Sequence, residues 1–99
     1  MPTAELLKSR EVTENHLRVA RSLLLPEVVA LHAQSLSQFA EFLDHNELGL
    51  AFDWLDSIAR ESQWSSISLL ASLELAALNM GRDDDARPLR IRINELADQ

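Results

Sequence analysis

The chain has 99 residues and a mass of 11.2 kDa, room for a single domain and one core. Hydrophobic residues make up 46% and charged residues 25%, which excludes a wholly disordered chain; two glycines and three prolines are too few for a sandwich or barrel with frequent turns. With no cysteine there is no disulfide framework, no thiolate nucleophile and no cysteine zinc site, and a net charge of −7 argues against nucleic acid or an anionic membrane as partner.

Taken in chain order, the first helical pattern follows Thr13, with apolar residues at Leu17, Ala20, Leu23 and Leu24 and a Glu14–Arg18 surface pair. Leu25 precedes Pro26 and resists helical geometry, so the helix is expected to end there. Residues 1–12 read as a frayed N-terminal turn. Pro26 suits the start of a second helix running to Asp44. Its apolar face is Val28, Val29, Leu36, Phe39, Ala40 and Leu43, with His32 inside that stripe and Leu31 and Phe42 opposite.

Asp44-His45-Asn46-Glu47 reads as a stop followed by a start, with Asp44, or Asn46 in competition, as N-cap of the third helix. That helix carries the cleanest stripe, Leu48, Ala51, Phe52, Leu55, Ile58 and Ala59, and is expected to end near Ser62 and Gln63. A fourth helix starts after Ser65 or Ser66 and runs to Met80, with Gly81 as its left-handed terminator. Its main face is Leu69, Leu70, Leu73, Ala76, Ala77 and Met80, and a second face holds Ile67, Ala71, Leu75 and Leu78. Ser65, Ser68, Ser72 and Asn79 leave a narrow polar stripe, which predicts the most buried helix of the set. Asp83, Asp84 and Asp85 suit a helix N-terminus, and Leu89, Ile93 and Leu96 give a last stripe with Pro88 in the first turn. Alternation of Leu89, Ile91 and Ile93 with arginines keeps a strand open for residues 88–97. The fold expected is all-α, a compact bundle of four to five helices over residues 1–99, with Phe39, Leu55, Leu70 and Leu73 in the core.

Charge is unevenly placed. Residues 1–26 carry a net +1, residues 27–79 a net −7 with Arg60 as the one basic side chain, and residues 80–99 a net −1. On the third helix Glu47, Leu50, Trp54, Ser57 and Glu61 form one outward stripe with Asp53 beside it. An aromatic anchor among carboxylates suits a protein-binding face for a basic partner; packing of Trp54 under a neighbouring helix is the competing reading. The spacing of Glu41, His45 and Glu47 is loosely ligand-like, but no matching histidine pair supports a metal site. Glu74, alone in an apolar helix, has no evident catalytic partner and is expected to reach solvent or pair with Arg90 or Arg92. Neither a phosphate loop nor a nucleophile elbow is present, so no enzyme, cofactor or metal is expected. An uncharged run of at most 13 residues, Val28 to Ala40, is too short to span a bilayer, and the opening Met1-Pro2-Thr3-Ala4-Glu5 lacks a signal-peptide pattern; a cytoplasmic protein is expected.

The stretch Phe42-Leu43-Asp44-His45-Asn46-Glu47-Leu48-Gly49-Leu50-Ala51-Phe52-Asp53-Trp54-Leu55 resembles a helix-turn-helix segment of small helical immunity proteins from bacterial polymorphic-toxin systems, the Maf-toxin immunity (MafI-like) group. A serine-rich start and an apolar helix ending in Met-Gly, here Ser65 to Gly81, are similar to the same group. The resemblance covers roughly residues 36 to 96, from which Pro88 departs. It implies an inhibitor that binds a cognate toxin, often a nuclease with a basic surface. Asp44, His45, Glu47 and Asp53 are the positions carried over. Together with the charge argument, the expected partner-binding set is Glu41, Asp44, His45, Glu47, Leu50, Asp53, Trp54, Ser57 and Glu61. A helical-pair adaptor, homodimeric through Leu31 and Phe42, and an enzyme or metal protein using Glu41, His45, Glu47 and Glu74 are the alternatives.

Overall fold

A computed structural model describes residues 3–62 and 66–98, apart from the side chain of Leu6. Six α-helices follow in order: α1 Ala4–Ser22, α2 Pro26–Leu31, α3 Ala33–Asp44, α4 Leu48–Glu61, α5 Ile67–Asn79 and α6 Asp83–Ala97. No strand occurs among the described residues, so the open choice at 88–97 resolves to helix. Gln63 and Ser65, named above at a helix end and in a polar stripe, lie outside the described residues.

Helix α1 is one unbroken element rather than a frayed turn followed by a helix. Thr13, where a start was expected, is buried mid-helix and accepts a hydrogen bond at 2.7 Å from the Asn79 side-chain amide of α5. The same amide donates to the Ser9 carbonyl at 2.8 Å. That clamp holds the first half of α1 on α5, which local propensity could not announce. Leu25 is extended (φ −67°, ψ 149°), as a residue before proline must be, and α1 ends three residues earlier.

The single helix expected over 26–44 is two. At His32 the backbone leaves helical geometry (φ −109°, ψ 27°), separating α2 from α3. Proline and two adjacent β-branched residues make α2 a weak helix of six residues, and none of them is fully buried. Little therefore holds it in register with α3. The break leaves Leu31 80% exposed and sets His32 Nδ1 3.8 Å from Glu61.

The turn at 44–47 is a correction to the capping idea. Asp44 is the last residue of α3, and no side chain caps the N-terminus of α4. Asn46 instead takes a left-handed backbone (φ 58°), with Asn46 N–H donating to the Leu43 carbonyl and Glu47 N–H to the Phe42 carbonyl. This pair of bonds is a Schellman motif. Met80-Gly81-Arg82 repeats it: Gly81 has φ 75°, its N–H donates to Leu78 and that of Arg82 to Ala77. Two helical hairpins, α3–α4 and α5–α6, are thus closed by the same three-residue turn. Asn46→Gly is expected to leave stability unchanged or raise it by up to about 1 kcal/mol, and Asn46→Ala to lower it by about 1–2 kcal/mol. Thermal melts of both variants check this; equal melting temperatures would show that the turn does not set the cost.

The core is contiguous. Phe52, Leu55, Leu70 and Leu73 are 0% exposed and Phe39 is 3% exposed, as the periodicity predicts. The whole α4 stripe is buried. Helix α5 packs along both α1 and α6, α3 along α4, and α4 joins the two hairpins. Ser66 caps α5, its hydroxyl accepting from Leu69 N–H at 3.0 Å. The molecule measures 45 × 29 × 18 Å. Its thin dimension is less than two helix diameters of 10–12 Å, so most helices must turn one side to solvent. Helix α5 has seven buried residues, more than any other helix among the described residues, as its narrow polar stripe predicts, while Ile67, Leu75 and Leu78 of its second face are 43–48% exposed. Pro88 is the sixth residue of α6, beyond the first turn where its missing N–H would be harmless. No helix among the described residues is long and apolar enough to cross a membrane.

Candidate protein-binding face

The carboxylates grouped by the sequence go to different places. Asp53 is bound by Arg82 at 2.6 Å, and Arg82 also reaches Asp85 at 2.7 Å. Asp53 is therefore part of the framework between the hairpins, not a free partner-binding charge. Asp44 turns the other way, lining a groove of about 560 Å³ between α1 and α3 with Arg18, Arg21, Leu36, Phe39 and Leu43. His45 is exposed in the turn. Glu41 and Glu47 are exposed and form no ion pair among the described residues. Glu61 is exposed, with His32 as its neighbour.

Leu50 is 46% exposed and Trp54 37%, so neither is spent closing the core; Ser57 is half-buried on the same stripe. What the sequence reading missed is the contribution of α3. Gln34, Ser35 and Gln38 line a notch of about 350 Å³ with Trp54. The antiparallel α3–α4 hairpin brings these residues together from positions 16–20 apart in the chain, and nothing in their own local pattern signals it. The same hairpin exposes Glu41 on α3 and Glu47, Leu50 and Glu61 at or along α4.

On the flank of α4 nearer Asp53 and Asp85, Asp56 lies 3.3 Å from Arg60. Burial pushes its carboxyl above the usual carboxylate range, helped by the nearby charges of Asp85 and Asp53 and opposed by Arg60 and Arg82. The folded protein thus binds a proton at Asp56 more tightly than the unfolded chain. Stability from this group is highest at low pH and falls as pH rises from the ordinary carboxylate value through the raised one. Asp56→Asn is expected to stabilise at neutral pH, with the gain vanishing below about pH 4. Urea titrations at pH 7 and pH 3.5 test this; a gain that is the same at both contradicts the assignment.

Two further groups settle structural questions. Glu74, buried, receives Arg90 Nε at 2.7 Å and Nη2 at 2.5 Å, so the expected arginine partner is Arg90 rather than Arg92. Those bonds and the charge of Glu74 hold the Arg90 guanidinium above its ordinary value. Arg92 instead donates to the Ala59 and Ser62 carbonyls and caps the end of α4. Phe42, expected to lie opposite the core with Leu31, is partly buried and packs against the core. No group of three or more His, Asp or Glu among the described residues is arranged to hold a metal ion. Comparison of the chain with protein-family models, curated proteins and solved structures finds no match.

Proposed function

We propose that the chain is an immunity protein: a non-catalytic cytoplasmic inhibitor that covers the basic surface of a cognate bacterial toxin domain, of nuclease type, with the outward face of α3 and α4. The observation that carries this reading is the combination on one helical hairpin of half-exposed Leu50 and Trp54 with the unpaired carboxylates of Glu41 and Glu47. A toxin surface that holds phosphates is rich in Lys and Arg, and opposite charge speeds its capture toward about 10⁸ M⁻¹s⁻¹ at low salt. The resemblance of residues 42–55 to immunity proteins supports the same partner class.

The test is co-expression with a candidate toxin encoded by a reading frame adjacent to the gene. Cells are expected to survive only when this protein is present, and death in both cases refutes the reading. With the captured toxin, Glu41→Lys with Glu47→Lys is expected to slow association and flatten its salt dependence. Unchanged kinetics would place the interface elsewhere. A second reading, a helical assembly module that self-associates, is favoured by the exposed Ile67, Leu75 and Leu78 on α5. Sedimentation equilibrium separates the two: concentration-dependent dimers abolished by Leu75→Ser support assembly.

A further inference from the structure

We propose that the notch between Trp54 and the Gln34–Gln38 turn of α3 is a socket for one arginine side chain of the docking partner. This deepens the reading of the α3–α4 face as a protein-binding surface and rests on it. At about 350 Å³ the notch has side-chain dimensions and cannot admit a helix of 10–12 Å diameter. One wall is an indole, the aromatic group that attracts cations most strongly through its negative face. The other wall offers the two amide oxygens of Gln34 and Gln38 and the Ser35 hydroxyl. None of these three side chains is hydrogen-bonded to a described residue.

The occupant follows from what would satisfy both walls. An apolar side chain would strip water from three polar groups without replacing their hydrogen bonds. A carboxylate would meet the field of Glu41, three residues from Gln38, and Glu61, on the Trp54 stripe. Between the two cations, lysine is a compact, strongly hydrated charge, whereas a guanidinium is flat, stacks on indole and spreads five N–H donors in one plane. Arginine therefore uses the stacking wall and the acceptor wall at once. Glu41, exposed one helical turn along α3 from Gln38, adds attraction for the cation without losing its own hydration.

The test needs no toxin. The ¹⁵N-labelled full chain is titrated with the peptides acetyl-Gly-Arg-Gly-amide and acetyl-Gly-Lys-Gly-amide at physiological salt, following the Trp54 indole N–H and the Gln34 and Gln38 side-chain amides. The arginine peptide is expected to shift these signals with an affinity about two- to fivefold above that of the lysine peptide. The preference is expected to disappear in Trp54→Leu and in Gln34→Leu with Gln38→Leu, the latter confined to the outer side of α3. Equal response to both peptides, or a preference that survives the glutamine replacements, overturns the socket. Failure of this proposal is separable from failure of the immunity reading. Rescue in co-expression without arginine preference removes the socket alone, and arginine preference without rescue keeps the socket and removes the toxin.

Discussion

Leu73→Ala is expected to lower the unfolding free energy by roughly 2–5 kcal/mol, read as a shift of the denaturant midpoint at unchanged slope. Leu73 is 0% exposed and sits at the centre of the α5 face that also buries Leu69, Leu70, Ala76 and Ala77. Helix α5 is packed by α1 on one side and α6 on the other, so a cavity there is bounded by two separate helices and collapses only in part. In a domain of this size the loss is a large part of the whole stability. Leu75 supplies the internal control. It lies two residues away on the same helix but is 47% exposed, and Leu75→Ala is expected to cost less than about 1 kcal/mol. Similar losses at the two positions would mean that the outer face of α5 is covered in solution.

The helical core was readable because its signal is periodic. Leu48, Ala51, Phe52, Leu55, Ile58 and Ala59 recur at the helical repeat, and all are buried. Signals at the ends of elements were less faithful. Asp44-His45-Asn46-Glu47 contains good N-cap residues, yet the turn is built by backbone hydrogen bonds around a left-handed Asn46. Asparagine serves as either an N-cap or a left-handed C-cap, and the residue type alone does not choose between them. The break at His32 carries no glycine or proline at the position itself, so periodicity passed straight through it.

The candidate face was half legible for a related reason. Leu50 and Trp54 fall off the core stripe of α4, and helical geometry alone puts them outside. Which charges accompany them depends on tertiary partners. Asp53 is only one residue from Trp54, but Arg82, 29 residues on, claims it. Asp44 shares the local sequence of Glu41 and Glu47, yet projects toward α1. Gln34, Ser35 and Gln38 enter the face through hairpin packing alone. A charge count over residues 27–79 overcounts the free carboxylates, because it cannot see which of them are paired.

The second large effect is expected at Arg82, the residue that closes one hairpin turn and fastens it to the other hairpin. Its guanidinium bonds Asp53 at 2.6 Å, Asp85 at 2.7 Å and the Gly49 carbonyl at 3.0 Å, and lies 5.1 Å from the centre of the Phe52 ring. Burial works against the charge, but the bonds and charges of Asp53 and Asp85 outweigh it and hold the group above its ordinary value. Hydrogen bonds to charged groups contribute about 1.5–3 kcal/mol each when shielded; with the side chain 31% exposed and Asp53 51% exposed, Arg82→Ala is expected to cost roughly 2–4 kcal/mol in all. Arg82→Lys keeps the charge but cannot fork between Asp53, Asp85 and a carbonyl, and is expected to recover less than half of the loss. Gly49 gives an independent check on the geometry. A Cβ at that position would meet Arg82 Nη1 at 3.3 Å, so alanine there makes the guanidinium give by a few tenths of an ångström and loosens its bonds. Gly49→Ala is expected to destabilise the natural chain slightly. In the Arg82→Ala background it is expected to stabilise, by less than the roughly 1 kcal/mol of a mid-helix glycine, because only the gain in helix propensity is left. A Gly49→Ala effect of the same sign and size in both backgrounds would show that Arg82 does not reach over the start of α4.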